Sequence, residues 1–252
     1  MTKENVNRRI KVTVAMPAYN AADYIQESIE SVLAQEYKNF ELIINDDFSK
    51  DDTWRIINRY KADSRVKLYR NSRNLGQGAT MNKIISCARG EYITPCDADD
   101  LMLAGNLKRL STFLDKHKTI GVVYADLLVM DMFRSSNSKK APRIVGRDFK
   151  KVWDLTNNCV NHGGSMIRKK LIKKVQGYDE KVYDRVDYSL WLKLAEITEF
   201  KYLKGEVYYI YKRRSGSLTH LHKHFESDTR RLIKETIKRR FNFNFRFPAT
   251  AT

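Results

Sequence analysis

The sequence predicts an α/β protein with a mostly parallel central sheet flanked by helices, followed by a basic amphipathic helix at the C-terminus. Three observations carry that prediction. Short β-branched runs alternate with segments of helical period across the first hundred residues, the pattern of βαβ units. The runs end in polar or acidic turns, and in such sheets ligands bind beyond the carboxyl ends of the strands. A chain of 252 residues with 42% hydrophobic content can also bury one sizeable core.

The first strand is expected at 10–16 (IKVTVAM), stopped by Pro17, which cannot donate to a ladder. Residues 23–33 place Ile25, Ile29, Val32 and Leu33 at helical spacing. A second strand at 40–44 runs into a turn rich in Asp and Ser. A helix at 53–60, a strand at 66–69, a helix at 78–88 and a strand at 91–96 follow. That order implies right-handed crossovers with helices on both faces. Further on, 122–126 and 128–130 read as a hairpin and 135–142 as a basic loop. A buried strand is expected at 163–167, an amphipathic helix at 188–195 and an aromatic strand at 207–211. Residues 222–241 set Phe225, Leu232, Ile233, Ile237 and Phe241 on one side of a helix rich in Lys and Arg.

Lys and Arg number 47 against 30 Asp and Glu, a formal charge of +17. A charge of that size favours anionic neighbours, among them nucleotide sugars, lipid pyrophosphates, anionic membranes and nucleic acid, without choosing between them. Cys87, Cys96 and Cys159 are odd in number and form no CxxC pair, so neither a disulfide framework nor a zinc site is expected. No apolar run reaches the ~18–20 residues that span a bilayer, and the charged N-terminus lacks the apolar core of a secretory signal. The expectation is a cytoplasmic protein. Its basic helix either docks on the protein's own core or makes peripheral contact with the inner face of an anionic membrane.

Asp97-Ala98-Asp99 follows the fourth strand and faces the expected crevice. Carboxylates at i and i+2 suit one hard cation, Mn²⁺ or Mg²⁺, with room left for phosphate oxygens and water. The competing reading is that Asp99 or Asp100 caps a helix beginning near Ala104. The run Asp46-Asp47-Phe48-Ser49-Lys50-Asp51-Asp52 has the alternation of a calcium loop. An EF-hand, however, needs Gly where Asp52 stands and Glu where Asn58 stands. Asp51 reads as a helix cap, and Asp46 is placed to accept a hydrogen bond from the imide nitrogen of uracil.

The blocks MPAYN, ELIINDDFSKDDT, RNSRNLGQGATMNK and GEYITPCDADD are followed by HGGSMIRKKLIKKVQGYDE, VDYSLWLKLAE and VYYIYKRRSGSLT. In order and spacing they resemble family 2 glycosyltransferases over roughly residues 10–220. The resemblance implies a GT-A fold, a nucleotide-diphospho-sugar donor with UDP favoured, a divalent metal and inversion at the anomeric carbon. It also implies a glycan, lipid-linked glycan or glycoprotein acceptor. Carried over by position, Asp46 holds the base, Pro17, Ala18 and Tyr19 line the nucleotide pocket, and Asn74 and Gly76 lie near the nucleotide. Asp97 contacts ribose or metal-bound phosphate, Asp99 ligates the metal, and Asp187 is the general base. The domain then covers 1–220, with its nucleotide-binding half at about 10–100 and its acceptor half at about 101–220. Residues 221–252 form the basic tail.

The departures from the family pattern matter equally. Phe48 stands where the family has Gly, so the turn after Asp47 is expected to be built differently. Val186 precedes Asp187 where the family has Glu, which leaves Asp184 as a competing base. Lys212 and Arg214 replace the family's Arg and His. A guanidinium has no lone pair for a metal, so Arg214 is assigned to the pyrophosphate, and Lys212 is counted with it among the nucleotide-sugar-binding residues. The third metal ligand is left open between His220, His222 and water. His162 is either a sugar contact or a structural histidine, and Trp191 reads as core.

Two other functions would make different demands on the sequence. Nucleotidyl transfer would want a Gly-rich basic phosphate loop near the N-terminus, which MPAYNAADY does not offer. A nucleic-acid module would want aromatic residues interleaved with Lys and Arg on an exposed sheet. Here the aromatics fall on core positions and acids crowd the crevice.

Overall fold

The computed structural model describes residues 9–132, 143–145, 160–182, 185–214 and 238. The elements run β1 (Val12–Ala18), α1 (Ile25–Leu33), β2 (Phe40–Asp46), α2 (Thr53–Ile57) with a 3₁₀ turn over Asn58–Tyr60, β3 (Val66–Arg70) and α3 (Gln77–Cys87). Next come β4 (Tyr92–Pro95), β5 (Leu101–Met102), α4 (Asn106–Lys116), β6 (Ile120–Asp131) and β7 (Arg143–Val145). The chain continues through β8 (Ser165–Arg168), α5 (Lys169–Lys174), α6 (Val186–Ala195) and β9 (Glu199–Arg213).

Among the described residues the strands form one sheet in the order β3-β2-β1-β4-β8-β6-β9-β5, with β7 beside β6. The expected parallel βαβ sheet is the half β3-β2-β1-β4. Beyond it, β8 runs antiparallel to both β4 and β6, and β9 returns parallel to β6.

Side-chain alternation sorts the core into two layers. Val12, Val14 and Met16 of β1 pack with Ile25, Ile29 and Val32 of α1 and with Leu107, Leu110 and Leu114 of α4. Ala15 and Ile43 face the other way, toward Met81, Ile84 and Ile85 of α3 and Leu190, Trp191 and Leu194 of α6. The i, i+3, i+4 and i+7 spacing of those apolar residues is what gives each helix one buried stripe.

Two expectations are corrected. Pro17 does not end β1, which continues to Ala18 opposite Asp46. Lys11 and Ala15 send their carbonyls to β4 and Ala18 sends its carbonyl to Asp47. By alternation the nitrogen of Pro17 faces the side where β4 has already ended, so its missing hydrogen costs nothing. Residues 122–130 are not a hairpin but part of the single strand β6. Neither Gly nor Pro stands at Asp126-Leu127, and the Asp side chain is engaged away from its own backbone. Instead Asp126 accepts hydrogen bonds from the Tyr202 hydroxyl and the Gly205 nitrogen, and the pairing with β9 shifts register around Ala125 to Leu128.

The loop at 135–142, the basic tail 221–252 apart from Lys238, and Asp184, His220 and His222 lie outside the described residues. Among the described residues no helix is long and apolar enough to cross a membrane.

Candidate active site

The carboxyl ends of β1, β2 and β4 converge on one edge, as the parallel arrangement requires. Asp46, the last residue of β2, is fully buried. Its register partner on β3 is Arg70, whose Nε lies 2.9 Å from Asp46 Oδ2. The backbone nitrogen of Ser49 donates to Asp46 Oδ1 at 3.2 Å, and the Ser49 hydroxyl donates to the same oxygen. Asp46 is therefore held rigidly, with Arg70 bringing a cation to the same spot. Tyr19, on the loop after β1, is 47% exposed, and Pro17 and Ala18 close β1 beside Asn45 and Asp46 of β2.

Asp47 does work that the sequence reading gave to no residue. It is 4% exposed, and it accepts hydrogen bonds from Asn71 Nδ2 at 2.7 Å and from the backbone nitrogens of Leu75 and Gly76 at 2.8 Å each. Gly76 sits at φ 87° at the start of α3, a conformation open to glycine, and this aims its nitrogen at Asp47. Asn74 Oδ1 also accepts from Gly76 at 3.0 Å. The block expected near the nucleotide is thus a loop clamped to β2 by one carboxylate. The signal in the sequence is the Asp46-Asp47 pair itself, whose second carboxylate makes the clamp.

Phe48 corrects another expectation. The turn is not rebuilt around it, because Phe48 takes φ 65°, the left-handed backbone a glycine would supply.

The acidic loop after β4 separates three roles. Asp97 is half-buried at the surface but set deep in the crevice. Burial, with the charges of Asp99 and Asp187 adding to it and His162 opposing, pushes its carboxyl up to about 6. Its backbone nitrogen donates to the Tyr209 hydroxyl at 2.9 Å, and Gln77 Nε2 approaches Asp97 Oδ1 at 3.5 Å. Asp99 faces the end of β9, where Arg214 Nε donates to its Oδ2 at 2.8 Å. Asp100 is buried and structural, accepting the Lys212 backbone nitrogen at 2.9 Å. Burial, and then the charges of Asp97 and Asp99, drive its carboxyl well above the usual range. Neither Asp99 nor Asp100 caps a helix, since α4 starts at Asn106 behind Gly105.

The far wall comes from the second half of the chain. Asp187 lies in the first turn of α6, and Arg185, at φ 50°, occupies the cap position, so Asp187 is not an N-cap. Its charge reaches both Asp97 and Tyr178. A ring nitrogen of His162 lies 2.8 Å from the Tyr178 hydroxyl, and its ring meets Trp191 edge-on at 6.1 Å. Trp191 is core, as expected, at 1% exposure. The fold thus gathers Asp97, Asp99, His162, Tyr178, Asp187 and Arg214 about one crevice. Lys212 is directed elsewhere, its ammonium paired with Glu27 on α1.

The donor set fits a divalent cation of the hard, oxygen-binding kind. Two carboxylates two residues apart face the crevice, and among the described residues no third His, Cys, Asp or Glu completes a metal cluster with them. Such a pair suits Mn²⁺ or Mg²⁺, which draw remaining ligands from phosphate and water, and does not suit a closed zinc site.

This architecture is that of the GT-A glycosyltransferases. The fold superposes on S. aureus TarS 1–349 in complex with UDP-GlcNAc with a TM-score of 0.71 at 20% identity, covering 93% of this chain and 73% of that one. It also superposes on the mannosyltransferase PcManGT from Pyrobaculum calidifontis in complex with GDP-Man and Mn²⁺. There the TM-score is 0.63 at 19% identity, covering 83% and 59% of the two chains. The chain belongs to glycosyl transferase family 2, whose description matches residues 13–176. It is 37% identical over 200 residues to the putative glycosyltransferase EpsE of Bacillus subtilis, covering 76% of this chain and 69% of EpsE. It spans 63% of an uncharacterized glycosyltransferase of Methanocaldococcus jannaschii and 21% of the hyaluronan synthase of Pasteurella multocida, at 32% and 31% identity over 72% and 81% of this chain.

Proposed function

We propose that this glycosyltransferase moves a sugar, with inversion, from a nucleoside diphosphate donor to a hydroxyl of a glycan, lipid-linked glycan or glycoprotein. A UDP-sugar is favoured as donor. The observation that carries the reading is the meeting of Asp97 and Asp187 in one crevice, close enough for the charge of Asp187 to act on Asp97 although the two are far apart in the chain. Paired carboxylates on opposite walls suit two different tasks.

Asp187 takes the proton of the acceptor hydroxyl as that oxygen bonds to the anomeric carbon. The bond from that carbon to the diphosphate oxygen breaks, and the nucleoside diphosphate departs on the opposite side. Asp97 and Asp99 would hold Mn²⁺ or Mg²⁺, which offsets charge growing on the leaving diphosphate when bound. Asp46 and Arg70, with Pro17, Ala18 and Tyr19, bind the base. Asp47 fixes the Asn74–Gly76 loop beside it. The UDP-GlcNAc bound by TarS and the GDP-Man and Mn²⁺ bound by PcManGT support this reading. A nucleic-acid module is not favoured, since Tyr92, Tyr124, Tyr209 and Trp191 are buried rather than offered to bases.

Calorimetric titration with UDP, GDP, dTDP and CDP, each with Mn²⁺ and with chelator, tests the donor assignment. One nucleotide binding tightly only with metal is the expected result, and no binding of any under either condition overturns it. Asp187→Asn is expected to keep donor binding and to lose turnover by about 10²–10⁴-fold. Near-normal turnover in that variant would move the base to another residue.

A further inference from the structure

We propose that Arg214 is the resident counter-ion of Asp99. It holds the carboxylate in the nucleotide-free enzyme, and a nucleoside diphosphate draws its guanidinium away as a divalent cation takes its place. This rests on the donor reading above and adds an order to the site: cation and diphosphate enter as a coupled pair.

The geometry that points to it is specific. Arg214 Nε donates to Asp99 Oδ2 at 2.8 Å, with both side chains 21% exposed. The guanidinium lies 4.6 Å over the ring of Tyr24, just before α1, so its plane is supported from beneath. The root of the side chain is pinned as well. The Lys212 nitrogen is held by Asp100 at 2.9 Å, and the Arg213 carbonyl accepts from the Met132 nitrogen at 2.7 Å. Arg214 therefore pivots from a fixed point and has only its side chain to move.

The ion pair uses Nε. Among the described residues the two terminal nitrogens donate no hydrogen bond, and that planar pair of donors matches two phosphate oxygens. Among the described residues, the side chain of Asp97, the other carboxylate of the pair, has only the long hydrogen-bond contact from Gln77. Among the described residues, the Asp97–Asp99 pair is thus met by one hydrogen-bonded protein cation, and that cation sits on the acid a metal needs. A divalent ion arriving alone must displace a guanidinium from a partly desolvated carboxylate. A diphosphate gives the guanidinium a more highly charged partner and frees Asp99. Coupling of this kind is reciprocal, so Mn²⁺ must strengthen nucleotide binding by the factor by which nucleotide strengthens Mn²⁺ binding.

The test is Mn²⁺ binding by the full chain, followed by the spin-resonance signal of free Mn²⁺, with and without UDP. Arg214→Gln is expected to bind Mn²⁺ about tenfold more tightly than the parent without nucleotide, and to show a correspondingly smaller gain on adding UDP. Arg214→Lys, which keeps the charge, should stay near the parent. Tyr24→Leu removes the ring beneath the guanidinium and should shift nucleotide-free Mn²⁺ affinity the same way by a smaller factor. It answers the question if Arg214→Gln does not fold. A merely structural role predicts weaker metal binding in these variants, never tighter. Unchanged or weaker nucleotide-free affinity in both Arg214→Gln and Tyr24→Leu overturns the proposal while leaving the donor reading intact. A parent protein that binds no nucleoside diphosphate at all overturns both.

Discussion

Phe48 occupies the left-handed region at φ 65° on the turn that follows β2, where an L side chain costs about 1–2 kcal/mol. Its ring is put to use there. Lys50 Nζ lies 3.6 Å from the ring centroid, and the Arg70 guanidinium is 5.8 Å from it. Contacts of this kind contribute about 0.5–1 kcal/mol each at exposed sites, so strain and ring contacts nearly cancel. Phe48→Gly should leave the melting temperature within a few degrees of the parent. Phe48→Val keeps the strained backbone, adds a branched Cβ and removes the ring, so it should lower stability by about 2 kcal/mol in thermal or urea denaturation. Equal loss in both variants would show that the ring, not the backbone, sets the stability of the turn. At this scale the sequence was half legible. The departure from Gly was visible, but local pattern carries no information on whether a backbone bends to suit a side chain or forces it into strain.

Among the elements, β9 shows most clearly what local pattern could not supply. The βαβ half was readable because each strand and helix declares itself by period and by the turn that ends it. Strands β6 and β9 pair over sequence separations of some 80 residues, as between Tyr124 and Tyr202, and their length follows from that pairing rather than from local composition. Residues 207–211 read as a short aromatic strand, yet β9 runs from Glu199 to Arg213 and delivers Tyr209 to the acidic loop. The HGGS block makes room for that delivery. A Cβ on Gly163 would come 2.2 Å from Tyr209 Cε1, closer than any real contact. Gly163→Ala should cost about 1–3 kcal/mol of stability through overpacking. By pushing the ring off the Asp97 nitrogen, it should also weaken metal-dependent donor binding. Thermal melts paired with nucleotide titration check this, and unaltered donor affinity would separate the ring from the site.

On the scale of the whole molecule, charge is concentrated at both rims of the sheet. Opposite the crevice, Lys11 Nζ lies 2.9 Å from Glu91 and 2.6 Å from Asp115, and the Tyr92 hydroxyl donates to Asp115 at 2.8 Å. This cluster ties β1, β4 and α4 together. Burial works against the charge of both acids, but hydrogen bonds from Lys11 outweigh it and hold both carboxyls below their ordinary range. A carboxyl lowered by folding stabilises the protein above its ordinary pKa, and that contribution is lost as pH falls through the lowered value. The two acids are about two-fifths exposed, so the contribution is at most about 1 kcal/mol. Asp115→Asn should therefore melt slightly below the parent at neutral pH and converge with it as pH falls through the lowered carboxyl value, with donor binding unaffected. A difference that persists undiminished in acid would mean that packing, not charge, is at stake.

The clamps on the acidic loop carry a consequence for how the protein is born. Tyr209, Lys212 and Arg214 hold Asp97, Asp100 and Asp99 across separations of 112, 112 and 115 residues. A ribosome makes the acids long before it makes the residues that restrain them. A nascent chain that has reached only α6 carries β6 paired with β8 along one edge and bare along the other. Through that interval the loop after β4 has its carboxylates but neither its tyrosine nor its arginine. The βαβ half can form early from local contacts, while the restraints on the acidic loop arrive only once β9 has been made and has joined β6.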